Sequence, residues 1–223
     1  MVTRALDVVL LGPPGAGKGT QAKRLASTLS LLHISTGDLL REEVAKNTPL
    51  GQEAASYMQR GELVPDDLVA KMLLARLHTQ QGLGGCVFDG YPRTRAQADL
   101  LDQLLAELGR RVDVAVYLEV PDEEVVARLG GRRWCPQCGA VYHVRTQPPA
   151  REGVCDVCGS ELVVREDDRE EVIRQRLAVY RSHTEPLLAL YAQRGVLQRV
   201  DGLGTVEAIF ARLKEAVKGS VAR

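Results

Sequence analysis

Residues 8–25, VVLLGPPGAGKGTQAKRL, decide the fold. An apolar run that ends in a glycine-rich turn and continues into a helix with lysine at its start reads as strand, tight turn and helix, in that order. Gly12, Gly15 and Gly17 let the backbone bend so that its N–H groups close around phosphate oxygens, and the helix N-terminus adds a favourable dipole. The spacing Gly12-x4-Gly17-Lys18 is that of a P-loop, in which Lys18 reaches the outer phosphates of a nucleoside triphosphate. The residue after the lysine is Gly19, and the hydroxyl arrives one place later, at Thr20. One position along a helix turns a side chain by about 100°. Direct ligation of magnesium by that hydroxyl is therefore not expected, and the metal keeps more of its waters.

Outward from this stretch, apolar runs recur at DVVLLG, LLHIS, GCVFDG, DVAVYLEV and GVLQRVDG, with amphipathic stretches between them such as RAQADLLDQLLAELG and EEVIRQRLAVYRSHTEPLLALYAQ. Strands alternating with helices predict an α/β fold, a doubly wound parallel sheet covered on both faces. Asp89 ends the run GCVFDG, where a carboxylate at the C-terminal end of a strand faces the phosphate crevice and can orient magnesium-bound water. Two segments leave the alternation. Residues 35–64 read as short helices with no strand between them, and residues 131–167 carry turn signals and short β-like pieces. The expected organisation is a core formed by 1–34, 65–130 and 168–223, with two insertions.

With 223 residues and 45% hydrophobic content, the chain can bury the core of one such domain. Lysine plus arginine balance aspartate plus glutamate at 29 each. There is no net basic field to hold a polyanion, so nucleic acid is not an expected partner. The apolar run near the N-terminus is too short for a signal-peptide core or a membrane span. A cytoplasmic protein without a membrane partner is the expectation, and a monomer.

Four of the five cysteines form the pattern Cys135-x2-Cys138-x16-Cys155-x2-Cys158, each pair running into a glycine. That spacing predicts a tetrahedral zinc with four thiolate ligands; a redox pair or disulfides are the alternatives. Four protein ligands leave no place for water, so the metal would be structural. Between Cys135 and Cys158 the only basic side chains are Arg145 and Arg151, and the only aromatic is Tyr142. That is a poor match to a nucleic-acid ribbon. Cys86, within CVF, reads as a buried, inert thiol.

The strings GPPGAGKGTQ, HISTGDLLRE, GELVPDDLV, FDGYPRTRAQA, GRR, REDDREEVIRQRL and the late VDG resemble, in order, the nucleoside-monophosphate kinases, within them the long form with a zinc-braced lid. The resemblance runs over essentially the whole chain. It implies reversible transfer of the terminal phosphoryl group of ATP to AMP, giving two ADP, with Mg2+ accompanying ATP and a structural Zn2+. It also implies that 35–64 is the mobile monophosphate-binding domain and 131–167 the lid. On the ATP side it implies Gly15, Ala16, Gly17, Lys18, Gly19 and Thr20, then Arg128 and Arg132, Val141 and Tyr142 flanking the base, and Gly204 through its main chain. On the AMP side it implies Thr36 and Arg41, the backbone of Glu62, Leu63 and Val64, the run Gly90, Tyr91, Pro92 and Arg93, and Gln97 reading adenine. Arg165 and Arg176 complete the phosphate clamps. Lys18, Arg93, Arg132, Arg165 and Arg176 are the catalytic candidates, and Asp89 meets magnesium through water.

The residue types agree with that chemistry on their own terms. A phosphate monoester acceptor is already anionic, so no general base is needed and catalysis reduces to positioning and charge neutralisation. Arginine suits crowded phosphates because it binds them bidentately and stays charged. His33, His78, His143 and His183 need no catalytic role, and surface or packing roles are expected for them. Arg174 and Arg176 stand about 200° apart on a helix and should not share a face; for Arg174 both a surface and a site role stay open. Another nucleotide pair, such as GTP with AMP, is the nearest alternative. A P-loop regulatory switch should lack the second, acceptor site, and a zinc nucleic-acid module conflicts with the neutral charge.

Overall fold

The computed structural model describes residues 5–78 and 84–221, with the side chains of His78 and Val221 left aside. Residues 1–4, 79–83 and 222–223 of the expected core, and the His78 side chain, lie outside the described residues. Five strands, β1 (Leu6–Leu11), β2 (Leu32–Ser35), β3 (Gly85–Asp89), β4 (Val114–Glu119) and β7 (Leu197–Asp201), form one sheet in the order β2-β3-β1-β4-β7. Every pairing in it is parallel. All five coincide with the apolar runs seen in the sequence.

Alternation along the strands sorts two cores. Val9, Leu11, Ile34, Phe88 and Tyr117 face one layer with helices α2 (Thr36–Ala45), α3 (Pro49–Arg60), α4 (Asp66–His78) and α5 (Arg95–Glu107). Val8, Leu10, Val87, Val116 and Leu118 face the other, with α1 (Lys18–Leu29), α6 (Asp122–Gly130), α7 (Glu170–Val179) and α9 (Val206–Val221). Burying a large aliphatic side chain contributes about 1.5–3 kcal/mol, so two such layers make the sheet a rigid platform. The strand order reverses at β1, which lies between β3 and β4, and the glycine-rich turn leaves β1 at that switch point.

Asp7 is the exception within β1: a fully buried carboxylate. Arg110, from the turn after α5, forks onto both of its oxygens, and the backbone N–H of Cys86 also donates to it at 3.1 Å. Burial still leaves the Asp7 carboxyl above its ordinary range, because desolvation outweighs the arginine beside it. Cys86 is buried as expected, and burial pushes its thiol up to about 11.

The amphipathic stretch 170–193 does not form one helix. It breaks into α7, a π-helical turn at Tyr180–Thr184, and α8 (Leu187–Gln193). Pro186 precedes α8, and a proline has no N–H to continue a helical ladder. The excursion after α6 holds a small antiparallel hairpin of β5 (Arg132–Trp134) and β6 (Val141–His143), joined by an isolated bridge between Trp134 and Val163. Its own small core is Cys135, Tyr142, Cys155 and Leu162. Among the described residues, no helix is long and apolar enough to cross a membrane.

Candidate active site

The turn after β1 is closed by conformations that only glycine adopts freely. Gly15 and Gly17 have φ of 77° and 89°, and a Cβ on Gly15 would meet the Leu129 side chain at 2.8 Å. Helix α1 then starts at Lys18, whose ammonium donates to the carbonyl oxygens of Gly12 at 2.7 Å and Pro13 at 2.8 Å. Burial, with Arg93, Arg176 and Arg132 adding to it, pushes the lysine down to about 7 against the opposing pull of Asp89. Ala16 is buried, and Thr20 is exposed in the first turn of α1.

Asp89 ends β3, where only 8% of it is exposed. A Cβ on Gly19 would lie 3.2 Å from Asp89 Oδ2, so the carboxylate borders the place where a side chain after the lysine would begin. His33 Nε2 lies 3.5 Å from the same oxygen and has no hydrogen-bond partner among the described residues. A packing role alone therefore undersells His33. His143 packs instead against Gly131, and His183 is exposed.

Two adjoining clefts open at this end of the sheet. One is lined by Gly12, Lys18, Pro92 and Thr184, the other by Thr36, Arg41, Val64 and Gln97. Gly61, Leu63, Gly90, Arg93 and Arg176 line both. The shared wall is closely bonded. Thr36 Oγ1 donates to Gly90 O at 2.7 Å, and Arg93 Nε donates to the same oxygen at 2.8 Å. Arg93 N donates to Gln97 Oε1 at 2.7 Å. Tyr91 is buried behind this wall and lines neither cleft, while Glu62 turns outward to pair with Arg60 at 2.9 Å.

Cations crowd the clefts. Burial and Arg176 push Arg93 down to about 10; burial, Arg41 and Arg132 push Arg165 down to about 9; both stay charged at neutrality. Burial likewise lowers Arg176. Arg165 stacks over Trp134 at 5.0 Å, and its Nε, like the Nε of Arg41, is buried without a partner among the described residues. Unpartnered buried donors among mutually repelling cations mark a site built for a polyanion.

Carboxylates that sequence reasoning passed over hold these arginines. Asp168, whose side chain is fully buried, accepts Arg132 Nε at 2.7 Å and lies 3.3 Å from Arg176 Nη1. Asp167 Oδ2 lies 3.0 Å from the same Arg176 nitrogen, and Asp38 accepts Arg41 at 2.6 Å. Burial alone would raise Asp167, but Arg176 and Arg132 outweigh it and hold its carboxyl below the usual range. For Asp167 and Asp168 the only signal in the sequence was a run of three acids, Glu166 to Asp168, just ahead of α7. Arg174 resolves to the surface role, three-quarters exposed and paired with Glu170 at 2.6 Å.

Four predicted residues stand apart from this cluster. Arg128 donates to Glu124 at 2.7 Å and to Gly202 O at 2.8 Å, which aims it at the turn that carries Gly204. Val141 is exposed on β6. Tyr142 turns its side chain inward, so only its backbone is available to a ligand. Its hydroxyl accepts the Asp156 N–H at 2.9 Å and lies 3.6 Å from Cys155 Sγ.

The sulfurs of Cys135, Cys138, Cys155 and Cys158 all lie within 4.8 Å of one another. Zinc–sulfur bonds of about 2.3 Å in a tetrahedron put sulfurs about 3.8 Å apart, so shifts of about 1 Å or less bring the cluster onto a zinc ion. Backbone N–H groups of Gly139 and Gly159 close each knuckle onto the carbonyls of Cys135 and Cys155, at 2.9 and 2.8 Å. Four thiolates complete the sphere, and the site is structural.

The family profile described as adenylate kinase matches residues 10–196. The chain is 51% identical over 213 residues to the adenylate kinase of Acidothermus cellulolyticus, covering 96% of this chain and 98% of that protein. It is 47% identical over 209 residues to the adenylate kinase of Archaeoglobus fulgidus, covering 94% and 96%. To the adenylate kinase of Lachnospira eligens it is 46% identical over 208 residues, covering 93% and 98%.

Proposed function

The chain belongs to the adenylate kinase family, and on that premise we propose that its two clefts carry out the reversible transfer of the terminal phosphoryl group of ATP to AMP, giving two ADP. The observation that carries this reading is the shared wall: Arg93 and Arg176 line both the cleft with the P-loop lysine and the cleft with Thr36, Arg41 and Gln97. A phosphoryl group in transit between two nucleotides would lie against those two arginines. A regulatory switch has no use for the second cleft.

The ATP phosphates bind the turn from Gly15 through Ala16, Gly17, Lys18 and Gly19 to Thr20, with Arg128 and Arg132 from the far side. The base lies beside the backbone of Val141, Tyr142 and Gly204. AMP binds with its phosphate on Arg41 and Arg93 and its base between Thr36, the backbone of Glu62, Leu63 and Val64, and Gln97. Gly90, Tyr91 and Pro92 form the backing wall. Asp89 would orient the waters of a magnesium ion brought with ATP, and that ion would supply charge neutralisation. Because the attacking oxygen of AMP is anionic, no residue takes a proton. Lys18, Arg93, Arg132, Arg165 and Arg176 gather the charge as it moves.

Residues 35–64 and 131–167 act as closing domains over a core of 1–34, 65–130 and 168–223, and exclude water as the competing acceptor. Zinc keeps the second of them folded. The proposed setting is the cytoplasm, with the protein acting as a monomer.

The test is to incubate the protein with magnesium, ATP and each nucleoside monophosphate in turn and to measure the diphosphates formed. ADP from ATP and AMP is expected as the dominant product. Its absence would overturn the reading, as would a faster reaction with another monophosphate. Lys18→Ala and Arg93→Ala should each lower turnover by orders of magnitude in a folded protein.

A further inference from the structure

Gln97 is a buried amide, 2% exposed, on the wall of the AMP-side cleft. Its carboxamide is held at both ends by groups that can bond it only one way round. Oε1 accepts the backbone N–H of Arg93 at 2.7 Å, and Nε2 donates to Asp66 Oδ1 at 2.6 Å. The other oxygen of Asp66 accepts Thr94 Oγ1 at 3.0 Å, and that hydroxyl in turn accepts the Gln97 N–H at 3.1 Å. A backbone N–H can only donate and a carboxylate can only accept, so the direction of the amide is fixed by chemistry. A half-turn of the carboxamide would set its oxygen against the Asp66 carboxylate and its NH2 against the Arg93 N–H. Both contacts are repulsive, and neither is relieved by water in a buried site.

After those two bonds the amide keeps one N–H and one lone pair for a ligand. A 6-aminopurine presents a donor at its amino group and an acceptor at the neighbouring ring nitrogen. A 6-oxopurine presents the reverse order. One orientation of the carboxamide matches the first and the flipped orientation matches the second, so whatever locks the amide selects the base.

We propose that Asp66 is a specificity-determining positioning residue: through its bond to Gln97 Nε2 it locks the carboxamide in the orientation that takes a 6-aminopurine monophosphate and rejects a 6-oxopurine monophosphate. This rests on the reading of the cleft as the AMP site with Gln97 as its base reader. Asparagine in place of Asp66 can turn either its oxygen or its NH2 toward Gln97. The flipped amide then loses one of its two repulsions.

The experiment compares AMP with inosine monophosphate as acceptors, by kcat/KM for diphosphate formation, and as ligands, by calorimetric titration without ATP. It uses the wild-type chain, Asp66→Asn and Gln97→Leu, each checked for an unchanged melting profile. Asp66→Asn should narrow the preference for AMP by about tenfold in both measurements while leaving kcat with AMP within a few-fold of wild type. Gln97→Leu should narrow it at least as far. If Gln97→Leu narrows the preference and Asp66→Asn keeps the wild-type ratio, the proposal is overturned while the role of Gln97 stands. If Gln97→Leu keeps the wild-type ratio, Gln97 does not read the base, and the role of Asp66 falls with it. The titration decides the matter even where a variant turns over too slowly to assay.

Discussion

Asp168 grips Arg132 by both ends of its guanidinium fork, Oδ2 on Nε at 2.7 Å and Oδ1 on Nη2 at 2.5 Å. The pair joins the first strand of the 131–167 excursion to the turn ahead of α7, 36 positions away in sequence. The phosphate-clamp role proposed for Arg132 needs the arginine already aimed, because ordering a free side chain during the reaction costs conformational entropy. Asp168→Asn keeps the shape but removes the charge and one acceptor. Its expected effect is a fall in kcat of about 10–100-fold, or 1.4–2.7 kcal/mol, with the fold retained by circular dichroism. Arg174→Ala is the matching control, since that exposed i,i+4 pair with Glu170 should be worth about 0.3–0.5 kcal/mol and no activity. Wild-type kcat in Asp168→Asn would mean that Arg132 orients itself.

The sheet, the P-loop and the cysteine module were legible because each is written in consecutive residues. β1, with Val8 to Leu11 buried, is an apolar run, and the two knuckles announce their metal by spacing. What escaped is long-range pairing. Asp66 meets Gln97 across 31 positions, and Asp7 meets Arg110 across 103. No periodicity in one sequence encodes such a distance. β5 escaped for a different reason: Arg132, Arg133 and Trp134 show no apolar alternation, since their hairpin is held by the metal knuckles and by Val163. The break in 170–193 escaped because the amphipathic pattern runs on across the π-helical turn.

Gly131 marks where the chain leaves α6 for the hairpin, and the His143 ring lies directly over it. A Cβ there would fall 2.2 Å from His143 Nε2. The ring has little room to yield, because its Nδ1 accepts the N–H groups of Arg145 and Thr146 at 3.1 and 3.2 Å. Gly131→Ala should therefore shift the hairpin relative to α6 and lower stability by about 1–3 kcal/mol. Because the hairpin carries Arg132, KM for ATP should rise more than KM for AMP. Equal changes in the two constants would argue against a displaced hairpin.

Tyr142 connects the metal to the hairpin that holds Arg132. Its oxygen is occupied by the Asp156 N–H at 2.9 Å, which leaves the hydroxyl proton free to donate to Cys155 Sγ. Tyr142→Phe removes that donor and orphans the Asp156 amide. Outer partners of metal ligands typically contribute about 10–100-fold in metal affinity. Zinc should accordingly leave the variant at about tenfold lower chelator concentration, followed with a chromophoric chelator at constant temperature. Chelation of the wild type should lower its melting temperature before it lowers its initial rate at moderate temperature. Instant loss of activity in a folded protein would make the metal catalytic.

Lys18 gives the site a proton signature. Its ammonium sits among Arg93, Arg132 and Arg176, and burial brings its pKa to about 7 from the ordinary 10.5. Between those two values the unfolded chain binds the proton and the folded chain does not, so this group makes the protein more stable as pH rises from 7 toward 10.5. Below 7 both states hold the proton, and the penalty of the buried charge is present in full. Triphosphate oxygens beside the amine favour its charged form, so ATP must restore the proton. At pH 8 binding should take up about one proton that it does not take up at pH 6. Titration calorimetry at pH 8 in two buffers of different ionisation heat measures this uptake as a difference in apparent enthalpy. In Lys18→Met the buffer dependence should vanish at pH 8. If it persists there unchanged, the proton belongs to another group, and Lys18 is charged before ATP arrives.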